Sequence, residues 1–357
     1  MSDILVEDYL HSNSKIIPVD VRSPGEFLDG SIPGAVNLPL FSDDERKVIG
    51  TIYKKEGSKA AQWEAMKIVS PKLPDLLGEL KKIAEEEKQP MLYCWRGGMR
   101  SKSFATFAQF SGLEPLRLTG GYRAYREKIL ELIPTLIPPK MVVLHGMTGV
   151  GKTKILSQLQ QKGVPVLDFE QMANHSGSLF GDIGKSRPHN QKTFDALLFQ
   201  ALWEQKSSSY FVIEAESKRI GHAVLPLKIL EAKEKGLHIY VHASLEKRVE
   251  NVYMQYVHPF HREPNFRLRV DEKLKYVLKR IKNQDVKKSL QDAFLTENYW
   301  ELIRILMNDY YDPKYDHSFS QYKGPIFHVE GNDPYLAAQE IQNIIETNMF
   351  VEPLKLK

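Results

Sequence analysis

This sequence of 357 residues has one cysteine, no long apolar run and only a small net charge. Its single cysteine excludes an intrachain disulfide and a zinc cluster built on several cysteines. No stretch approaches the roughly 20 consecutive apolar residues of a transmembrane helix, and the amino terminus lacks a basic segment followed by an apolar run. We therefore expect a cytoplasmic protein with no membrane partner.

The remaining composition is that of an ordinary globular protein. The formal net charge of +4 does not by itself argue for nucleic acid binding, and 42% hydrophobic with 26% charged residues is typical of folded domains. The eleven histidines lack ligand spacing, so we predict no transition-metal site. The length predicts two domains, or three.

The clearest motif is a G-x-x-x-x-G-K-T loop at residues 146–153, between an apolar run at 142–145 and a segment with helical spacing. This strand–loop–helix context is the one that a phosphate-binding loop requires. Backbone N–H groups and the helix N-terminus bind phosphate oxygens, Lys152 adds a positive charge, and the Thr153 hydroxyl suits Mg²⁺. The predicted diphosphate or triphosphate site comprises Gly146, Thr148, Gly149, Val150, Gly151, Lys152 and Thr153.

Further apolar segments around this loop predict a doubly wound, P-loop NTPase-like sheet. Strands are expected at 164–168, 210–214 and 237–242, with an edge strand at 326–329. Glu214 ends one of these strands, where a carboxylate could hold Mg²⁺ directly or through water. The glycine-rich stretch 173–184 is either a ligand loop or an ordinary surface loop.

The first third of the chain also alternates strands and helices, which predicts an α/β layer with a mostly parallel sheet. An apolar run ends at Cys94, and a glycine-containing loop and a helical segment follow. The loop N–H groups, Arg96 and Arg100 would favour the thiolate form of Cys94, so we predict a catalytic nucleophile. The same loop would hold an oxyanion or a persulfide.

A proline-rich stretch supplies the predicted boundary. We expect one domain at 1–133, a linker at 134–140 and a second domain at 141–357. Residues 43–58 and 76–87 are interpreted as solvated connecting elements without chemistry.

Basic residues concentrate in a helical segment, about 258–310, of the second domain. The candidates for backbone contacts with nucleic acid are Arg262, Arg267, Arg269, Lys273 and Arg280. Interleaved Phe266 and Tyr276 would suit base stacking. The alternative is a basic face that is merely solvated.

The stretches 20–27, 30–37 and 118–122, together with the Cys94 loop, resemble a rhodanese domain. Such domains move sulfur or selenium on the loop cysteine. The C-x5-R spacing from Cys94 to Arg100 departs from the usual sulfurtransferase loop and resembles rhodanese-related dual-specificity phosphatases. The resemblance therefore implies a donor that carries a tetrahedral phosphate group.

Over nearly its full length the chain resembles the tRNA 2-selenouridine synthase family, on the order of these motifs together with residues 167–178 and 214–221. The resemblance implies a transferase that converts wobble 2-thiouridine of tRNA to 2-selenouridine through S-geranyl-2-thiouridine, with geranyl diphosphate and then selenophosphate as substrates. It implies Mg²⁺ at most, and no tightly bound cofactor.

The same resemblance implies a division of roles. The phosphate-binding loop would stabilise the diphosphate leaving group, with Leu179 and Phe180 as candidates for an apolar wall. Cys94 would accept or guide selenium. The phosphate of selenophosphate would be bound by Arg96, Gly97, Gly98 and Arg100, and the basic segment would contact the tRNA.

Three alternatives remain open at this point. The first is an NTP-dependent kinase or GTPase-like enzyme fused to a rhodanese regulator, although no N-K-x-D motif for base recognition occurs in the sequence. The second is a non-catalytic tRNA- or nucleotide-binding module. The third is a C-x5-R phosphatase, for which no general acid is evident.

Overall fold

The computed structural model describes residues 2–12, 15–85, 88–176, 180, 183, 187–313 and 326–349. The chain forms two compact units. One comprises Met1–Pro134 with Asn190–Gln200, and the other comprises Thr135–His189 with Ala201–Lys357. Each unit is built on a parallel sheet with helices, which confirms the predicted fold class.

The first unit contains a five-stranded sheet in which all neighbouring strands are parallel. Its strand order is β1-β5-β4-β2-β3. The strands are β1 Ser2–Ile4, β2 Ile16–Asp20, β3 Val36–Asn37, β4 Gln89–Tyr93 and β5 Leu116–Leu118. Strand β4 is central and fully apolar at 91–93, as expected for a strand covered on both faces.

Seven helices accompany this sheet among the described residues. They are α1 Val6–Ser12, α2 Pro24–Leu28, α3 Asp43–Glu56, α4 Ser58–Val69, α5 Leu73–Glu85, α6 Met99–Phe110 and α7 Gly121–Leu136. Helix α3 begins at a capping box in which Ser42 and Glu45 satisfy each other's backbone N–H groups. Pro134 does not end α7, so the predicted linker at 134–140 begins inside a helix.

The second unit contains another five-stranded parallel sheet, in the order β12-β11-β6-β8-β7. Its strands are β6 Val142–His145, β7 Val166–Leu167, β8 Val212–Glu214, β11 Leu237–His242 and β12 Ile326–Glu330, and a separate antiparallel pair is formed by β9 Arg219–Ile220 and β10 Ala223–Val224. The strand order reverses on either side of β6. This is the topological switch point where such sheets bind ligands.

Helices of this unit carry two π-helical segments, Tyr253–Val257 and Met307–Tyr311. Each continues an α-helix without a break, and such segments are frequent at functional sites. The remaining described α-helices of the chain are α8 Lys152–Gln161, α9 Phe169–Ala173, α10 Gln191–Glu204, α11 Leu227–Glu234, α12 Leu245–Val252, α13 Phe266–Leu278, α14 Gln284–Leu295, α15 Tyr299–Leu306 and α16 Pro334–Met349. Among the described helices, none combines the length and the apolar character that crossing a membrane requires.

Most of α10 belongs to the first unit, which includes Asn190–Gln200 although this range lies well beyond the predicted boundary. Lys192 forms an ion pair with Asp29. Asp195 accepts a hydrogen bond from Arg126 Nη2 at 2.9 Å. Pattern reasoning could not detect this, because both pairs join residues far apart in the chain.

A buried ion pair fixes the carboxyl end of β2. The Asp20 and Arg22 side chains are 0% and 2% exposed, and Arg22 Nη2 lies 2.6 Å from Asp20 Oδ2. Arg22 Nη2 also donates to the Gly30 carbonyl oxygen at 2.7 Å, and its guanidinium lies 4.4 Å from the ring centroid of Tyr122. Removing either partner would leave the other charge buried without compensation.

We therefore expect Asp20→Ala to lower the free energy of unfolding by about 3–5 kcal/mol. Asp44→Ala is the matched control, because Asp44 and its partner Lys47 are 92% and 77% exposed and such pairs contribute less than about 1 kcal/mol. Urea unfolding followed by circular dichroism compares the two variants. Equal losses of stability would contradict the assigned role of the buried pair.

Candidate active sites

The phosphate-binding loop leaves β6 at the centre of its sheet and leads into α8. Gly146, Gly149 and Gly151 all have positive φ, which lets the loop fold back over the strand. Lys152 Nζ donates to the Gly146 carbonyl oxygen at 3.0 Å and so lies across the loop. The loop predicted from the motif thus has the strand, turn and helix that phosphate binding requires.

Two side chains of α12 hold this loop from behind. Buried Arg248 donates from Nε to the Thr148 carbonyl oxygen at 2.9 Å and pairs with Asp312 through Nη2 at 2.5 Å. Asn251 Nδ2 donates to the Gly149 carbonyl oxygen at 2.9 Å. Because these carbonyls are tied back, the loop is held in a fixed conformation. Neither residue was predicted, since both lie about a hundred positions from the motif.

An acidic cluster lies beside the loop. Candidate ligand oxygens of Glu170, Glu214 and Glu216 all lie within 4.8 Å of one another. Thr153 Oγ1 donates to Glu214 Oε1 at 3.1 Å, so the two predicted Mg²⁺ ligands are neighbours. Burial raises the pKa of Glu214 to about 7, against the opposing charge of Lys152 and with the help of the Glu216 and Asp168 carboxylates. A divalent cation would relieve this repulsion.

Glu170 and Glu216 lie in the stretches 167–178 and 214–221, which carry the family resemblance, but no role was predicted for either residue. The available signal was position: Glu216 follows the end of β8 by two residues, and Glu170 follows the end of β7 by three. Carboxyl ends of neighbouring parallel strands meet at one edge of the sheet, and β7 pairs with β8.

The loop opens onto a cavity with a volume of about 180 Å³. One end carries residues 148–154 and the three glutamates, and the other end is apolar. The apolar wall includes Phe180, Val257, Phe266, Leu302 and Leu306. Phe180 was predicted for this wall, whereas Leu179 and part of the 173–184 loop lie outside the described residues.

Both π-helical segments contribute to the same cavity. Tyr256 and Val257 come from the first, and Met307 and Tyr311 from the second. Ser176 also lines the cavity with a buried Oγ. The cavity therefore combines a polar end at the G-x-x-x-x-G-K-T loop with an apolar end in one unit.

In the first unit, Cys94 follows the central strand β4. The residue is 3% exposed, and its Sγ lies 3.3 Å from Ser101 Oγ on helix α6. The predicted loop ligands Gly97 and Gly98 come directly before α6, and Arg96 is exposed. A hydroxyl partner for the sulfur was not foreseen from the sequence.

Arg100 does not stand alone at this loop. Its Nη1 and Nη2 contact the two Glu26 carboxylate oxygens at 2.5 and 3.1 Å. Burial opposes ionisation of Glu26, but the hydrogen bonds and charge of Arg100 outweigh burial and lower the pKa of Glu26. Glu26 therefore orients Arg100, whereas Arg96 is the more accessible cation.

The Cys94 loop is packed closely against residues 118–121. A Cβ atom at Gly121, where φ is +62°, would lie 2.2 Å from the Cys94 carbonyl oxygen. Arg117 Nη1 donates to the Gly97 carbonyl oxygen at 2.8 Å and its guanidinium also pairs with Asp3. The glycine pair of the rhodanese-like stretch thus permits this close approach.

Each half of the chain matches a known protein family. The tRNA 2-selenouridine synthase AAA domain family matches residues 139–346, and the rhodanese-like domain family matches residues 6–128. A tRNA 2-selenouridine synthase from Hydrogenovibrio crunogenus is 33% identical over 342 residues, which cover 88% of this chain and 92% of that protein. The chain belongs to the tRNA 2-selenouridine synthase family.

Other members of the family show similar coverage. The tRNA 2-selenouridine synthase of Sulfurovum sp. (strain NBC37-1) is 31% identical and covers 92% of this chain and 94% of its own. The tRNA 2-selenouridine synthase from Psychromonas ingrahamii is 29% identical, and the aligned residues cover 85% of this chain and 88% of that protein. The sequence similarity thus extends over both units.

In this family member the basic segment has mixed surroundings. Arg262 is exposed, Arg280 lies 4.2 Å from the Tyr276 ring centroid, and Arg267 pairs with Glu297. The half-buried candidates are Arg269 and Lys273. One expectation was wrong: Phe266 is 2% exposed and packs edge-on against Tyr299 in the core, so it is not available for base stacking.

Histidines that look scattered in the sequence form two close pairs. His145 and His238 approach to 2.8 Å between ring nitrogens on β6 and β11, and His242 and His328 approach to 2.7 Å on β11 and β12. Burial, followed by the charges of His238 and nearby lysines, lowers the pKa of His145 to about 3. Sheet pairing, not sequence spacing, creates these contacts.

Two glycines with similar φ test the packing of the phosphate loop. At Gly149 (φ 83°) an added Cβ would lie 2.7 Å from the Arg248 carbonyl oxygen, whereas at Gly163 (φ 79°) no atom of the described residues would lie within 4 Å of it. We expect Gly149→Ala to weaken binding of inorganic diphosphate more than tenfold. Gly163→Ala should cost about 1–2 kcal/mol of stability and leave binding unchanged. Isothermal titration calorimetry with inorganic diphosphate compares the two variants. Equal affinities of Gly149→Ala and Gly163→Ala would contradict the described packing.

Proposed function

We propose that this protein converts wobble 2-thiouridine of tRNA to 2-selenouridine in two steps, first with geranyl diphosphate and then with selenophosphate. The observation that carries the proposal is the cavity of the second unit, where a phosphate-binding loop meets an apolar wall. An allylic diphosphate has the same two-part character. The family membership supports the overall reaction on tRNA.

In the first step, the sulfur at C2 of the uridine attacks the first carbon of the geranyl chain. The carbon–sulfur bond forms, the carbon–oxygen bond breaks, diphosphate leaves, and the uridine ring loses its N3 proton. Lys152 and the N–H groups of the loop would stabilise the negative charge that develops on the leaving diphosphate. The apolar residues Phe180, Phe266 and Leu302 would hold the geranyl chain.

Mg²⁺ fits the acidic cluster beside the loop. Thr153, Glu170, Glu214 and Glu216 offer the oxygen ligands that this cation prefers. Bound there, Mg²⁺ would add positive charge for diphosphate departure. The same four side chains also keep that end of the cavity polar.

In the second step, selenium from selenophosphate replaces the geranylated sulfur at C2. The carbon–selenium bond forms as the carbon–sulfur bond breaks, and geranyl thiol leaves. Water then cleaves the phosphorus–selenium bond. Phosphate is released, and N3 of the uridine ring regains its proton. Arg96 and the backbone at Gly97 and Gly98 would bind the phosphate of the donor, with Arg100 oriented by Glu26. Cys94 would guide selenium from the base of this loop.

The two steps should separate in single variants. Starting from 2-thiouridine tRNA, Lys152→Ala should slow geranylation about 100-fold or more, because it removes a charged donor to the leaving group. Cys94→Ala should accumulate the S-geranyl nucleoside. Lys162→Ala is a matched control at the residue that caps the carboxyl end of the same helix, where Lys162 Nζ lies 4.5 Å from the Tyr335 ring centroid. Nucleoside mass spectrometry measures all three.

Geranylation by Lys152→Ala at the wild-type rate would contradict the first assignment. An unmodified nucleoside together with hydrolysis of ATP or GTP by the wild-type protein would favour the alternative of an NTP-dependent enzyme with a rhodanese regulator.

The basic segment is proposed to contact the tRNA backbone through Arg262, Arg267, Arg269, Lys273 and Arg280. Each phosphate contact releases counterions. Arg262→Ala and Arg280→Ala should therefore each reduce the slope of log affinity against log salt by about one. Lys82→Ala, which changes an exposed lysine on α5, is the control. Filter binding at several salt concentrations measures the slopes, and unchanged slopes would place the tRNA elsewhere.

A further inference from the structure

The first unit contains a second cavity, larger than that of the phosphate loop. Its volume is about 530 Å³, and it lies among α3, α4 and α6. The wall is almost entirely apolar and aromatic and includes Leu40, Phe41, Ala65, Phe104 and Phe107. Its α3 wall lies in the stretch 43–58, which was expected to be a solvated connection without chemistry.

This cavity lies beside the helix that follows the Cys94 loop. Met99 and Arg100, which form the first turn of α6 immediately after that loop, both line it. Phe104, Leu40 and Phe41 belong to the same packed cluster as Cys94. A group in the cavity would therefore lie next to the loop that carries the cysteine.

The mouth of the cavity has an apolar side and a charged side. On the apolar side, Trp63, Tyr53 and Met66 are 69%, 61% and 44% exposed, unusually open for large apolar side chains. On the charged side, Arg46 and Arg100 both face Glu26, at 3.6 and 2.5 Å. This combination suits an amphipathic ligand with a hydrocarbon tail and an anionic attachment.

We infer that this cavity binds the geranyl chain of the S-geranyl-2-thiouridine intermediate while selenium replaces sulfur. The inference rests on the proposed function and adds a second prenyl-binding site, distinct from the one beside the phosphate loop. The geranyl chain is a branched hydrocarbon, the partly exposed Arg46 complements the charge of the tRNA backbone, and the adjacent Cys94 loop is where the donor would bind. The cavity also receives the chain as it leaves on geranyl thiol.

The test separates the second step from the first. Wild-type protein is supplied with selenophosphate and with an anticodon stem-loop RNA that carries either S-geranyl- or S-methyl-2-thiouridine. The KM should favour the geranyl substrate at least tenfold, because each buried methylene contributes roughly a fourfold gain in affinity. Geranylation of 2-thiouridine RNA is measured in parallel.

Ser103 lines the cavity from α6, so Ser103→Phe should fill it and abolish the preference for the geranyl substrate. The KM for the geranyl substrate should rise at least tenfold, whereas the KM for the methyl substrate should stay unchanged. Thr106→Phe, the same enlargement on the exposed face of α6, should retain the preference. Should Ser103→Phe fail to fold, Trp63→Ala tests the mouth instead and should reduce the preference severalfold.

Equal KM values for the two substrates in the wild type would overturn the inference and leave the two-step function intact. An unchanged preference in Ser103→Phe and Trp63→Ala would also overturn it, and would assign the cavity to another occupant, such as a partner's helix. Failure of the wild type to convert either substrate or to geranylate 2-thiouridine would overturn the proposed function, and the inference with it.

Discussion

Both sites depend on one constraint, the loop that leaves the central strand of a parallel sheet and must be held rigid from behind. After β6, the Arg248 and Asn251 side chains tie down the carbonyl oxygens of the phosphate loop. After β4, Arg117 ties down Gly97, and Gly121 lets the neighbouring backbone approach the cysteine loop. A loop whose carbonyls are tied back in this way can direct N–H groups towards an anion.

The second feature common to both units is an apolar cavity next to the loop that follows the central strand. A phosphate loop alone would serve nucleotide hydrolysis as well as diphosphate departure. The apolar wall at Phe180, Phe266 and Leu302 favours a hydrocarbon over a nucleoside. The apolar cavity beside Cys94 suits the proposed second step, in which the intermediate would still carry the hydrocarbon.

Local sequence patterns predicted the folds and the loops correctly. They failed where contacts between distant residues determine which side chains are buried or brought together. The motif at 146–153 specified its loop because the glycines, Lys152 and Thr153 act within one turn of chain. The interpretation of Phe266 as a stacking residue was wrong because burial depends on the packing of α13 against α15, which spacing does not reveal. Glu170 and Glu216, the histidine pairs and the place of Asn190–Gln200 in the first unit all arise from pairing between distant segments.

The central claim is that each loop serves one step, and it is tested most directly by supplying the intermediate. Lys152→Ala protein would be incubated with selenophosphate and tRNA that already carries S-geranyl-2-thiouridine, and the nucleosides analysed by mass spectrometry. Because the phosphate loop is assigned only to diphosphate departure, we expect 2-selenouridine to form at the wild-type rate. A loss of selenation as large as the loss of geranylation would contradict the division between the two loops.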